Sequence, residues 1–319
     1  MAQNKTKAIE ELLNDTRWVG QTIDWFPADW STRRYGRIYN DDASAILLDS
    51  PPDHSPDSMI GHQIGAWYKL NQKLQKLGLN VPEIYAVDLN HGLILMEDFG
   101  STPLPDNDEN AYKQATKILI TMRNIDHDRY DDLIRYEDTH VYKALRFFPE
   151  YVLGTAKLEN DWFQIWRHIE NSLPTCPRAL THIDFQAANL MWMPETLSKI
   201  GVIDFQATCD GPCVYDLVNL LEDVRRVVPD TIKENCIAMY KENLSPNEQT
   251  AFDQWYPVIT AQFHARVAGQ ILKLAKTSGR EDLMKFYEQL IKRLEKDLSY
   301  DALLPLKEFI MANGGFKHE

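Results

Sequence analysis

Thr181-His182-Ile183-Asp184-Phe185-Gln186-Ala187-Ala188-Asn189-Leu190 and Ile203-Asp204-Phe205-Gln206 are the most informative segments of this chain. Asp184 and Asn189 stand five positions apart in a polar loop flanked by apolar residues. One carboxylate and one carboxamide can therefore face the same small volume from a single loop. Asp204 comes fifteen residues after Asn189, behind the strand-like run 200–203, and can approach that volume from the other side. Two carboxylates and an amide oxygen make a hard-oxygen set of the kind Mg²⁺ prefers. Phosphoryl transfer needs such a set: metal ions neutralise the transferring phosphates, and a carboxylate orients the attacking hydroxyl and accepts its proton.

Outward from this core the chain divides near Gly100. Residues 35–39 and 43–48 are rich in β-formers and separated by Asn40-Asp41-Asp42, a hairpin signal. Residues 60–77 carry Ile64, Trp67, Leu70, Leu74 and Leu77 at helical spacing, with Gly78 as C-cap. Residues 84–87 and 93–96 read as two more strands around an Asn90-His91-Gly92 turn. Beyond the polar linker 101–108, residues 112–122, 162–169, 215–227, 231–240, 250–276 and 281–298 read as helices, with Pro257 expected to break or restart the fifth. The expected architecture is α+β, with a strand-rich lobe over 1–100, a hinge at 97–100 and a helical lobe over 101–319. A cleft between two such lobes is the usual place for a ligand.

The net charge of −13 argues against a nucleic-acid partner but not against a nucleotide, which needs only local N–H groups, one or two cations and metal ions. Cys176, Cys209, Cys213 and Cys236 contain no Cys-x-x-Cys pair and read as reduced thiols of a cytoplasmic protein rather than as zinc ligands. No stretch is apolar and long enough for a signal or a membrane span.

His-x-Asp-x-x-x-x-Asn followed by Asp-Phe-x after a strand is the pattern of the kinase catalytic and metal loops. In these residues the chain resembles the aminoglycoside phosphotransferase and choline kinase superfamily, and within it the branch of N-acetylmuramate/N-acetylglucosamine anomeric kinases. Ser31-Thr32-Arg33-Arg34-Tyr35, Val81-Pro82-Glu83-Ile84, Glu97-Asp98-Phe99-Gly100, Phe147-Phe148-Pro149-Glu150-Tyr151 and Tyr215-Asp216-Leu217-Val218 extend the resemblance.

The resemblance implies a protein-kinase-like bilobal fold, with ATP and Mg²⁺ as cofactors and a small-molecule sugar as acceptor. It implies that Asp184 is the catalytic base and that Asn189 and Asp204 hold the metal. His182 and Asp216 would support the catalytic loop. Ser31, Thr32, Arg33 and Arg34 would cover the phosphates, and the backbone of Glu97, Asp98 and Phe99 would meet the adenine edge. Aminoglycosides and other small alcohols are alternative acceptors within the same fold, and a non-catalytic nucleotide binder is a third reading.

One departure bears on the last of these. The strand 43–48 lacks the lysine that kinases set against the α- and β-phosphates, and the neighbouring positions are Leu47, Leu48 and Asp49. Arg33, Arg34 and Arg37 are the candidate replacements, although Arg33-Arg34 reads equally as a solvent-facing hairpin pair. Trp25, Trp30 and Trp67 read as packing groups. The segment 147–151 is either helix packing or a lip over an acceptor, with Glu150 its best-suited member. Arg266, on a long and mostly apolar helix, is either a helix–helix group or a substrate contact.

Overall fold

The computed structural model describes residues 2–27, 33–55 and 63–316. The chain forms two compact units. One combines Met1–Leu104 with Ala188–Gln206, and the other combines Pro105–Ala187 with Ala207–Glu319.

The first unit is built on an antiparallel sheet of β1 (Ile23–Trp25), β2 (Arg34–Tyr39), β3 (Ser44–Asp49), β4 (Ile84–Asp88) and β5 (Leu93–Glu97), in the order β1-β2-β3-β5-β4. The β2–β3 hairpin closes where the sequence places it. The Asn40 side chain accepts from the Asp42 and Ala43 N–H groups, which fixes the turn and sets Arg34 opposite Asp49. Alternation along β3 and β5 turns Ala45, Leu47, Leu93 and Leu95 to one face. There they bury against Ala8, Ile9 and Leu13 of α1 (Ala2–Leu13) and against Trp18. Helix α2 (Ile64–Lys76) buries Ile64, Trp67 and Leu74, and Gly78 follows its C-cap with φ +91°.

Ala188–Gln206 follows the second unit's segment Pro105–Ala187 in sequence but packs in this first unit. Its hairpin of Leu190–Trp192 and Ile200–Val202 is bonded to Thr102, Leu104 and Asn80 through main-chain hydrogen bonds of 2.7–2.8 Å. Those bonds satisfy the outer edges of a two-stranded ribbon, which is marginal by itself.

The second unit holds α3 (Glu109–Arg123), α4 (His140–Lys143), α5 (Glu159–Ser172), α6 (Tyr215–Leu221), α7 (Asp230–Lys241), α8 (Pro246–Ser278), α9 (Tyr287–Asp297) and α10 (Leu304–Ala312). A ribbon of Arg178–Thr181 paired with Cys209–Pro212 leads into and out of the loop region. Helix α8 runs unbroken through Pro257, contrary to the sequence expectation. The carbonyl left without its usual donor is that of Asp253, an exposed residue whose carbonyl water can serve, while buried Phe252, Trp255, Val258 and Ile259 hold the helix on either side. Helix α6 ends six residues sooner than its pattern predicts, at Leu221, and residues 281–286 form 3₁₀ turns rather than the start of α9. No described helix is long and apolar enough to cross a membrane.

Candidate active site

In the second unit, the strand Arg178–Thr181 delivers the chain into the His182-Ile183-Asp184 loop, and α6 holds that loop from below. Asp216, 4% exposed, accepts from the His182 N–H at 2.6 Å and from the Ile183 N–H at 2.9 Å, one donor to each carboxylate oxygen. Asn219, one helical turn further along α6, donates from Nδ2 to the Ile183 carbonyl at 2.7 Å. Two bonds thus clamp Ile183 and a third its neighbour His182, and they hold a φ of +76° that is strained for a β-branched side chain. Such strain persists only where the surroundings over-determine it, and here they do. Burial pushes Asp216 up to about 7, the two N–H bonds pull against that rise, and the charge of Asp184 adds to it.

The clamp sets Asp184 at the loop's partly exposed edge. His182 is fully buried, and its Nδ1 accepts from the Asp184 N–H at 3.2 Å, so this histidine acts on loop shape. Gln186 Nε2 donates to Asp184 Oδ2 at 3.2 Å.

In the first unit, Asn189 and Asp204 come together. Asn189 Nδ2 lies 3.4 Å from Asp204 Oδ2, and the Ile203 N–H donates to the Asn189 carbonyl at 3.0 Å. Asp204 is left-handed, with φ +60°, and its Oδ1 accepts from Gln206 Nε2 at 2.6 Å. The ring of Phe205 packs on Trp67 of α2 at 5.0 Å, so Trp67 is a packing group. Among the described residues no three His, Cys, Asp or Glu side chains cluster as metal ligands. An adjacent amide and carboxylate therefore suit an ion that takes few protein ligands and completes its shell with water and phosphate. That is the habit of Mg²⁺ and not of structural zinc.

The arginines of the same unit differ in what they are bound to. Arg34 lies over the Trp25 ring, 4.4 Å from its centroid, and pairs with Asp49, which Lys5 also holds at 2.7 Å. Arg37 pairs with Asp98 at 2.6 Å and donates to the Gly100 carbonyl at 3.0 Å. Arg33 is 5% exposed and hydrogen-bonded to Tyr35. Burial raises the Tyr35 hydroxyl, Arg33 pulls it down and Asp204 pushes it up. Ser31 and Thr32, expected beside it, lie outside the described residues.

The segment 97–100 is fixed by its own side chains. Glu97 Oε2 accepts from the Glu83 N–H at 3.2 Å, and Asp98 Oδ1 accepts from the Gly100 N–H at 2.8 Å. Phe99 fills the space above Gly201, where a Cβ would come within 2.2 Å of its ring.

In the second unit, Glu150 is half-buried on a π-helical turn, Phe148–Val152, which leans on α8, the helix that carries Arg266. Sequence reasoning missed Asn219. Its signal was available, because Asp216 and Asn219 are three apart in a helix and share a face.

The sequence model described as "Phosphotransferase enzyme family" matches residues 22–254. An N-acetylmuramate/N-acetylglucosamine kinase of Neisseria meningitidis serogroup B is 26% identical over 303 residues, spanning 88% of this chain and 86% of the relative. A putative aminoglycoside phosphotransferase from Ralstonia eutropha is similar in structure with a TM-score of 0.64 at 13% identity, covering 92% of this chain and 97% of the other. The AMP-bound complex of a spectinomycin phosphotransferase gives a TM-score of 0.62 at 14% identity, covering 92% and 98%. The fold is the protein-kinase-like α+β fold of these enzymes.

Proposed function

The chain belongs to the phosphotransferase enzyme family and is a kinase acting on a hydroxyl acceptor, and from that premise we propose that it phosphorylates an amino sugar, N-acetylmuramate or N-acetylglucosamine, at the anomeric hydroxyl, using ATP and Mg²⁺. The observation that carries this reading is the likeness to an N-acetylmuramate/N-acetylglucosamine kinase over 88% of the chain, which includes the whole Asp184 loop.

Asp184 orients the acceptor hydroxyl and takes its proton late in the transfer. An anomeric hydroxyl is more acidic than an ordinary alcohol, so a plain carboxylate suffices as acceptor. Asp216 and Asn219 keep that carboxylate in place, and positioning of this kind supplies much of the rate. Asn189 Oδ1 and the Asp204 carboxylate would hold Mg²⁺, which when bound neutralises phosphate charge. Arg33, buried and bonded to Tyr35, is the candidate to stand in for the absent strand lysine. The main chain of 97–99 takes the adenine edge, and Glu150 faces sugar hydroxyls.

The test is ADP release by purified protein with each sugar and Mg²⁺, beside Asp184→Asn. Sugar-dependent release that disappears in the variant supports the reading. Release only with a cationic antibiotic would favour the aminoglycoside acceptor suggested by the fold neighbours. Nucleotide binding with no turnover on any acceptor would favour a non-catalytic role.

A further inference from the structure

Helix α8 carries a polar stripe on a largely buried stretch. Gln262, Arg266 and Gln270 recur every four residues, the spacing that stacks side chains on one helix face. Gln262 is 1% exposed; its Nε2 donates to Glu170 at 2.6 Å, and its buried Oε1 has no hydrogen-bond partner among the described residues. Arg266 is half-buried, with its guanidinium over the Phe263 ring at 5.2 Å. A guanidinium has five N–H donors, and the described residues offer those of Arg266 one acceptor, Gln270 Oε1 at 2.6 Å.

That is unusual within this unit. Arg123, Arg178, Arg226, Arg280 and Arg293, the other partly buried arginines described there, each pair with a carboxylate. A cation withdrawn from water without an anion is costly unless a ligand supplies one.

Contacts link this stripe to the reacting end of the unit: Glu170, which Gln262 holds, also accepts from the Tyr142 hydroxyl at 3.2 Å, the Tyr142 ring lies 5.3 Å from that of Tyr136, and Tyr136 packs on Tyr215, the residue before Asp216. Tyr215, 1% exposed, also has a buried hydroxyl with no hydrogen-bond partner among the described residues, and its ring lies 4.9 Å from that of Tyr136. Burial pushes the Tyr215 hydroxyl up to about 12, Arg266 pulls it down, and Asp216 and Asp184 push it up. Tyr215 therefore stands in the field of both Arg266 and the catalytic carboxylate.

We propose that Arg266 is the subsite for a carboxylate on the acceptor, such as the lactyl group that N-acetylmuramate carries and N-acetylglucosamine lacks. The inference rests on the amino-sugar reading and deepens it: the protein prefers the acidic sugar, and the preference lies in one guanidinium. A charge-assisted bond of this kind is worth about 10- to 150-fold in affinity.

Two measurements test it. In the first, kcat/KM is determined for both sugars in wild type, Arg266→Met and Arg266→Lys. The ratio of N-acetylmuramate to N-acetylglucosamine should fall by about 10- to 150-fold in Arg266→Met and by less in Arg266→Lys. Because it is a ratio within one protein sample, partial misfolding cancels, and an unchanged ratio overturns the proposal. In the second, the Arg266 Nε–H resonance of ¹⁵N-arginine-labelled wild type, assigned by its loss in Arg266→Lys, is followed on adding N-acetylmuramate, D-lactate or N-acetylglucosamine. The two acids should shift it and the neutral sugar should not. No shift, or equal shifts with all three, overturns the proposal whatever the turnover. If neither sugar is phosphorylated but the acids still shift the resonance, the amino-sugar reading fails and the carboxylate subsite stands for another acidic acceptor.

Discussion

Asp216→Asn is the sharpest perturbation of the His182-Ile183-Asp184 loop, the proposed seat of catalysis. In the wild type, both carboxylate oxygens are spoken for, by His182 N–H at 2.6 Å and Ile183 N–H at 2.9 Å. Asparagine offers one acceptor oxygen and one NH₂ group, so one of the two main-chain donors must face another donor. The loss is one charge-assisted hydrogen bond and the stranding of a buried N–H, together about 2–4 kcal/mol, offset in part at pH 7.5 by relief of the buried charge whose desolvation raises Asp216 to about 7. Ile183 adds to this. Its φ of +76° stores about 1–3 kcal/mol that the clamp now restrains, and a weakened clamp lets the loop relax toward an ordinary backbone conformation. Asp184 moves with it, and a displacement of about 1 Å costs on the order of 100-fold in rate. Urea denaturation at pH 7.5 should give the stability loss, and steady-state assays should show kcat falling far more than the KM for either substrate changes. Asn219→Ala, which removes the bond to the Ile183 carbonyl, should produce a weaker version of the same pattern. An Asp216→Asn protein with stability within about 0.5 kcal/mol of wild type and kcat within about twofold would refute the clamp.

Other consequences of the geometry can be checked independently. Glu170 is raised to about 7 by burial, with the hydrogen bonds from Gln262 and Tyr142 pulling the other way. Its folded value lies above its unfolded one, so its contribution to stability is full below about pH 4.5 and is lost as pH rises through 7. Glu170→Gln should therefore match wild type near pH 4.5 and exceed it by up to about 3 kcal/mol at pH 8, as read from denaturation midpoints at both pH values. Gly269→Ala would place a Cβ 2.5 Å from the Phe147 carbonyl carbon, where helix α8 crosses the 147–151 segment. It should cost about 1–3 kcal/mol and raise the acceptor KM, while leaving the ATP KM near wild type. Arg33→Met should raise the ATP KM at least about tenfold, the scale of a lost charge-assisted phosphate contact. Arg34→Met, which removes an exposed guanidinium from a buried Asp49 that Lys5 still holds, should change it little.

The sequence made the catalytic loop legible because its chemistry is local: His182, Asp184 and Asn189 lie within eight residues, and Asp204 follows a short strand. The β2–β3 hairpin was legible for the same reason, since Asn40 closes it with its own side chain. The partners that give those residues their setting were harder to see. Asp216 and Asn219 reach Ile183 across 33 and 36 positions, and no local pattern marks which helix will pass beneath a loop. The ties of Arg34 to Asp49 and of Arg37 to Asp98 are likewise tertiary, so the three arginines read alike until their neighbours are known. Pro257 misled because a helix tolerates a proline when the orphaned carbonyl faces water, and facing is set by packing rather than by the residue itself. The segment 188–206 was assigned by chain order to the helical lobe, yet its ribbon packs with the first unit through bonds to Asn80, Thr102 and Leu104.

The most direct test of the central claim is the position of the phosphate in the product. N-acetylmuramate and N-acetylglucosamine are each incubated with ATP, Mg²⁺ and protein, and the product is examined by proton–phosphorus correlation NMR. The account predicts a phosphorus resonance coupled to the anomeric proton, and none when Asp184→Asn replaces the wild type. A phosphate coupled to a ring or side-chain carbon other than the anomeric one, or no sugar phosphate with either acceptor, would contradict it.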